Sequence, residues 1–241
     1  MSIGEQEVEG LWLPIVSDIL GRKIGRGKIL IGLYEPAAHW LSFILTLASA
    51  VLLQGLAVNI MTTSTSPREI RRALNRMIIN FKEPEVANRL TISDFYTWQL
   101  GRKSDEADSV EGLSIAKMNV GFAEQTKGST ELDFVVWDNL SAFMRYNEER
   151  LFTQWLDRFV AYLRETKGIR LWAFVKRSHS DAMYAYLESV VDGIIELDYR
   201  ENAGVLEHVV RVKSMKGMPH PTDWRRLAVN SDGIMQLSKQ L

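Results

Sequence analysis

Two hydrophobic rhythms alternate along this chain. Short apolar runs rich in β-branched and aromatic residues predict strands at Ile29 to Ile31, Leu56 to Met61, Leu90 to Phe95, Leu132 to Asn139 and Ile169 to Val175. Further runs follow at Gly193 to Leu197, Leu206 to Lys213 and Arg226 to Val229. Helical stretches lie between them. Ala37 to about Leu53 is apolar on every side and predicts a covered helix. Ser66 to Glu69 is a capping box with Pro67 at the first helical position, and Ile70, Leu74, Met77 and Ile78 then share one face. From Asn147, a plausible N-cap, to Glu165, a wide stripe of Leu151, Phe152, Trp155, Leu156, Phe159, Val160 and Leu163 predicts the clearest helix, ended by Gly168. Asp181 to about Val191 predicts another. Leu11 to Leu20 reads as a short helix or a loop, and Gly21, Gly25 and Gly27 as a basic turn. Trp98 to Thr130 is polar, with a charged loop near Arg102 to Asp108 and a helix around Leu113 to Gln125. Strand and helix in alternation imply right-handed βαβ units and a largely parallel sheet, with the last two strands an antiparallel extension.

A chain of 241 residues with 46% hydrophobic composition is long enough for one sizeable core. We therefore read residues 1–241 as one α/β domain, with 1–27 as a lead-in segment. A formal charge of −1 marks neither a global nucleic-acid binder nor a membrane-surface protein. The lack of cysteine excludes disulfides and Cys-based metal sites or catalysis, and it fits a reducing cytoplasm. Met1 to Glu9 is acidic, unlike a signal or transit peptide. Trp40 to Pro67 carries no charge, but Ser42, Thr46, Ser49, Gln54 and Asn59 interrupt it and Gly55 divides it. It reads as a covered helix and a buried strand, not a membrane span.

Strand, tight turn and apolar helix from Lys28 onward form the frame of a phosphate-binding loop. Such a loop needs Gly-x-x-x-x-Gly-Lys-Ser/Thr, so that backbone amides wrap the phosphates, lysine reaches the terminal ones and the hydroxyl holds magnesium. With the turn read as Gly32 to Pro36, the pattern puts Leu33 and Ala38 at the glycines, His39 at the lysine and Trp40 at the hydroxyl. Leu33 would be strained at positive φ. Pro36 removes an amide, Glu35 brings negative charge to an anion site, and Trp40 offers a metal no oxygen. The frame is kept and its chemistry replaced.

With these landmarks in order, the chain from about Leu11 to Ile234 resembles the KaiC-like branch of the RecA superfamily of ATPases, which includes archaeal RadA-paralogue and FlaH-type proteins. Lys28 to Trp40 stands at the P-loop. Met61 to Pro67 is similar to the strand end where the family carries paired glutamates, here Ser64 and Thr65. Val135 to Leu140 resembles the Walker B strand, with Asp138 at its acid and Asn139 where serine is usual. Val191 to Leu197 and Val212 to His220 are similar to two later family segments, the second offset by one residue at Lys213. The resemblance implies a RecA-like three-layer fold, a mostly parallel central sheet with helices on both faces and an antiparallel C-terminal extension. In the family one glutamate activates the attacking water, which Ser64 and Thr65 cannot do. Phosphoryl transfer needs a lysine, a metal and a base, so hydrolysis by the family mechanism is not expected.

The remaining candidates are weaker. Asp138 is read as a relic that caps a backbone or a neighbour, since a lone carboxylate holds magnesium poorly. His39 reads as a packed or half-exposed histidine rather than a phosphate ligand. His179, Ser180 and Asp181 carry the letters of a triad, but adjacency in sequence does not give its geometry. His208 and His220 lack zinc spacing. Trp137, Trp155 and Trp172 fit core patterns. Lys213, Lys216, Arg225 and Arg226 form a basic cluster at a turn that, as the resemblance implies, reaches across a subunit interface to a neighbour's nucleotide in relatives; here it could touch a neighbour, contact a nucleic-acid backbone or simply be solvated. The expectation is a pseudo-ATPase without cofactor or metal, acting as a regulatory or scaffolding subunit in a homo-oligomer or beside an active relative. A DNA-binding recombinase-paralogue accessory, or a sensor of a nucleotide or other small ligand in a remodelled pocket, are the alternatives.

Overall fold

The computed structural model describes residues 10–77, 82–119, 132–202 and 204–238. A nine-stranded sheet runs through it in the order β11-β10-β9-β8-β3-β7-β6-β4-β5. Its parallel part comprises β3 (Ile29–Tyr34), β4 (Val58–Thr62), β5 (Leu90–Asp94), β6 (Phe134–Trp137), β7 (Ile169–Val175) and β8 (Gly193–Asn202). The antiparallel extension comprises β9 (Val205–Met215), β10 (Arg225–Val229) and β11 (Met235–Leu237). β1 (Gly10–Leu11) and β2 (Ile24–Gly25) form a separate antiparallel pair around α1 (Val16–Leu20). Expectations for Met1 to Glu9, for Ile78 and for residues 120–130 of the polar segment lie outside the described residues.

Helices cover both faces. α2 (Trp40–Leu53) and α3 (Pro67–Met77) pack on one, with α4 (Lys82–Val86) beside β5. α5 (Glu149–Leu163) and α6 (Asp181–Val190) pack on the other. The period of two along β3 makes the division visible. Leu30 and Tyr34 join the α2 side, whereas Ile29, Ile31 and Leu33 join the α5–α6 side. Among the described residues no helix is long and apolar enough to cross a membrane.

The predicted α2, α3, α5 and α6 are present. Ser66 and Glu69 form the expected reciprocal cap, Glu69 N–H to Ser66 Oγ at 3.3 Å and Ser66 N–H to Glu69 Oε2 at 3.2 Å. Three boundaries need correction. β3 continues through Gly32 and Leu33 to Tyr34, because parallel ladders with β7 and β8 on both sides hold those residues extended. The turn therefore starts at Glu35, not Gly32. Asn147 does not cap α5. Its side chain bonds Leu113 O, Phe143 O and Ile115 N–H, and Glu148 precedes the helix instead. β8 and β9 run well beyond their predicted ends as a hairpin that projects past β3, whose pairing stops at Leu197.

Candidate functional site: the turn after the central strand

β3 lies at the centre of the sheet and delivers its turn to the carboxyl ends of the parallel strands, where open α/β sheets bind ligands. Of the four positions expected at a phosphate loop, Leu33 sits inside the strand. It faces the α5–α6 layer and shows no positive φ, so the expected strain is absent there. Left-handed backbone occurs instead at His39 (φ 53°, ψ 42°), which precedes α2 without a side-chain cap. Ala38 is fully buried, and its N–H donates to the Glu35 carbonyl at 2.8 Å.

Trp40 fills the hollow under this turn. Its indole stacks on Tyr34 with ring centroids 5.0 Å apart and touches Phe43 at 5.3 Å. The ring lies directly over Gly32. A Cβ at that glycine would come within 1.9 Å of Trp40 Cη2, so the strand can pass only with no side chain there. The indole Nε1 is buried without a hydrogen-bond partner. Burial first, and then the charge of Asp138, pushes the Tyr34 phenol above the usual range. Glu35 is also buried and pairs with Arg177 at 2.5 Å. His39 is exposed, and its ring meets His208 edge to face at 4.6 Å.

Asp138, one residue past β6, is spent on the end of β4. Oδ1 accepts from Thr63 N–H and Thr63 Oγ1, both at 2.7 Å, and Oδ2 accepts from Ser64 N–H at 3.0 Å with Thr62 Oγ1 at 3.1 Å. Burial pushes its pKa up against the pull of these donors. Each hydroxyl also lies against a carbonyl, Thr62 against Thr65 O and Thr63 against Asn139 O at 2.7 Å. One hydroxyl proton cannot serve two acceptors, so a proton on Asp138 would complete the network. Ser64 and Thr65, at the expected glutamate places, form the turn tied down by this carboxyl. Ser64 Oγ accepts from Asn139 Nδ2 at 2.8 Å.

At the positions expected for lysine and metal hydroxyl stand His39 and Trp40, whose indole fills the hollow, and both oxygens of Asp138 accept hydrogen bonds from the end of β4. The basic positions are also paired within the chain. Lys213 bonds Glu188, Lys216 bonds Ser189 O at 2.8 Å, Arg225 pairs with Asp223 at 2.8 Å and Arg226 with Glu207 at 3.0 Å.

Sequence reasoning passed over Gly32 and Tyr34, although alternation along β3 places both on the face that meets Trp40. It also passed over the pairing of His179 with Ser141. Their side chains, Nε2 and Oγ, lie 2.6 Å apart. Ser180 instead caps α6, accepting from Met183 N–H at 3.1 Å.

A sequence model of the KaiC ATPase family matches residues 42–240. No curated protein sequence matches. Among solved structures, a KaiC-like protein from the hyperthermophilic archaeon Pyrococcus horikoshii OT3 superposes with a TM-score of 0.73 at 14% identity, over 96% of this chain and 99% of that one.

Proposed function

Since this chain belongs to the KaiC family of ATPases, we propose that it is a pseudo-ATPase of that family, working through association with copies of itself or with an active relative. The observation that carries this reading is the Trp40 indole seated on Gly32 and Tyr34, in the hollow where the family frame would receive phosphates. The replaced lysine, hydroxyl and glutamates point the same way. Association is supported by the overhanging β8–β9 hairpin, whose Val205 and Leu206 are 62% and 50% exposed beyond the last pairings with β3 and β10. Apolar side chains on a projecting hairpin favour a protein partner.

Calorimetric titration of the folded protein with ATP, with and without magnesium, tests the closed site. No binding heat is expected. Micromolar binding, or ATP turnover that changes in an Asp138→Ala variant, would overturn it. Association is tested by sedimentation velocity of the wild type and Leu206→Glu, alone and mixed with an active KaiC-family ATPase. Complexes weakened by the substitution are expected. A monomer under all these conditions would defeat that half of the reading.

A further inference from the structure

A second site opens on the α5–α6 side of the sheet. Ser141 lies in the short 3-10 helix Leu140–Arg145 that follows β6, and His179 in the loop that joins β7 to α6. Both therefore stand at carboxyl ends of parallel strands, beside the closed turn but separate from it. They line a cleft of about 510 Å³, with Arg145 and Glu149 among its other walls. His179 Nε2 is 2.6 Å from Ser141 Oγ, and the Val175 N–H donates to the same oxygen at 2.9 Å.

Three features equip this serine. Burial holds the His179 pKa below the ordinary imidazole value, so the ring is neutral near pH 7 and can take a proton. The Val175 N–H donates to Oγ and occupies one of its lone pairs, which holds the hydroxyl in place with His179 Nε2 on its other side. Glu149 lines the same cleft, and its charge opposes the effect of burial on the imidazole. This carboxylate is itself fixed by Ser180, whose N–H and Oγ–H donate to it at 3.1 and 2.7 Å. Nucleophile, base and a carboxylate held near the base make the arrangement used for covalent catalysis.

We propose that Ser141 and His179 form a nucleophile–base pair that transfers acyl groups from small carboxylic esters bound in this cleft. The Ser141 Oγ–C bond forms as His179 Nε2 takes the hydroxyl proton. The ester C–O bond then breaks, and the same proton leaves with the alcohol. Water, deprotonated by His179, attacks the acyl-serine, releases the carboxylic acid and restores Ser141. In this scheme Ser141 is the catalytic nucleophile and His179 the base, with the charge of Glu149 favouring the imidazolium that forms.

A fluorophosphonate probe tests the pair, because it forms an Oγ–P bond and expels fluoride only at an activated serine. Wild-type protein is expected to be labelled at Ser141, as located by peptide mass. His179→Gln should slow labelling by at least about 100-fold while circular dichroism and thermal melting stay near wild type. The labelling rate should fall with acid, with a midpoint below about 6.5. Hydrolysis of p-nitrophenyl butyrate should follow the same pattern. Ser141→Ala should take no label. Should that variant unfold for want of an acceptor for Val175 N–H, wild-type mapping and His179→Gln decide the matter. Folded wild type without label at Ser141, or labelling unchanged in His179→Gln, would overturn the proposal and leave a pair that only pins the end of β7.

Discussion

Gly32→Ala, made in the wild type and in Trp40→Ala, tests how the hollow beneath the turn is filled. In the wild type the new methyl would lie 1.9 Å from Trp40 Cη2 and 2.6 Å from Cζ3, far inside van der Waals contact. The indole has little room to yield, held by Tyr34 on one side and near Phe43 on the other. Overpacking of this kind costs about 2 to 3 kcal/mol. With Trp40 removed the clash is gone. Gly32 has ordinary strand φ, so alanine there should stabilise by about 0.5 kcal/mol through reduced chain entropy. Trp40→Ala alone should cost about 2 to 3 kcal/mol, less than most buried tryptophans, because it also removes an indole N–H buried without a partner. The coupling between the sites is then about 3 kcal/mol, well above the scatter of independent positions. Urea unfolding followed by far-ultraviolet circular dichroism measures all four corners. Equal cost of Gly32→Ala in both backgrounds would refute the packing argument, as would a wild type stabilised by it.

Asp138→Ala leaves the Thr63 and Ser64 amides without an acceptor and should cost about 2 to 4 kcal/mol in the same assay. Because the folded pKa of Asp138 is raised, its share of stability is present below about 3.9 and lost as pH rises through the folded value. Asp138→Ala should remove that part of the acid-side profile. His208 has the opposite sign. Burial first, then the charge of His39, holds its folded pKa down, so stability is present above about 6.5 and falls as pH drops toward the folded value. Melting temperatures at pH 5 and pH 7.5 should lie closer together in His208→Gln than in the wild type. Ser66→Ala breaks the cap of α3 and should cost about 1 kcal/mol in urea unfolding.

The parts of the fold legible in the sequence are those where one local rule acts alone. The cap at Ser66 and the stripe on α5 are determined within a few residues, and they appear where the periodicity puts them, except that Leu151, counted in the stripe, lies exposed. The end of β3 was not legible, because Gly32 and Leu33 look like turn residues until β7 and β8, more than a hundred residues later, pair on either side. The short β11 also escaped, since Met235-Gln236-Leu237 has no pattern of its own and is extended by pairing with β10. At the candidate site, the identities of His39, Trp40, Ser64 and Thr65 could be read directly, and with them the expectation that a lysine, a hydroxyl and the glutamates are replaced. What occupies their space could not. That Trp40 folds back over Gly32, and that Asp138 serves Thr63 and Ser64, are facts of packing between segments that no spacing encodes. Ser141 and His179 are 38 residues apart and carry no motif.

The position of β3 between β7 and β8 also sets an order of assembly on the ribosome. β4, β5 and β6 can pair with one another once residue 137 has emerged, but β3 has no parallel neighbour until residues 169–175 are made, and its second only after residue 193. The most apolar hairpin of strand and helix, β3 with α2, is thus synthesised early and completed late. Throughout that interval a nascent chain carries an unpaired central strand, the kind of segment that chaperones shield. A stop anywhere before Ile169 would leave that exposed strand as its product rather than a smaller stable protein.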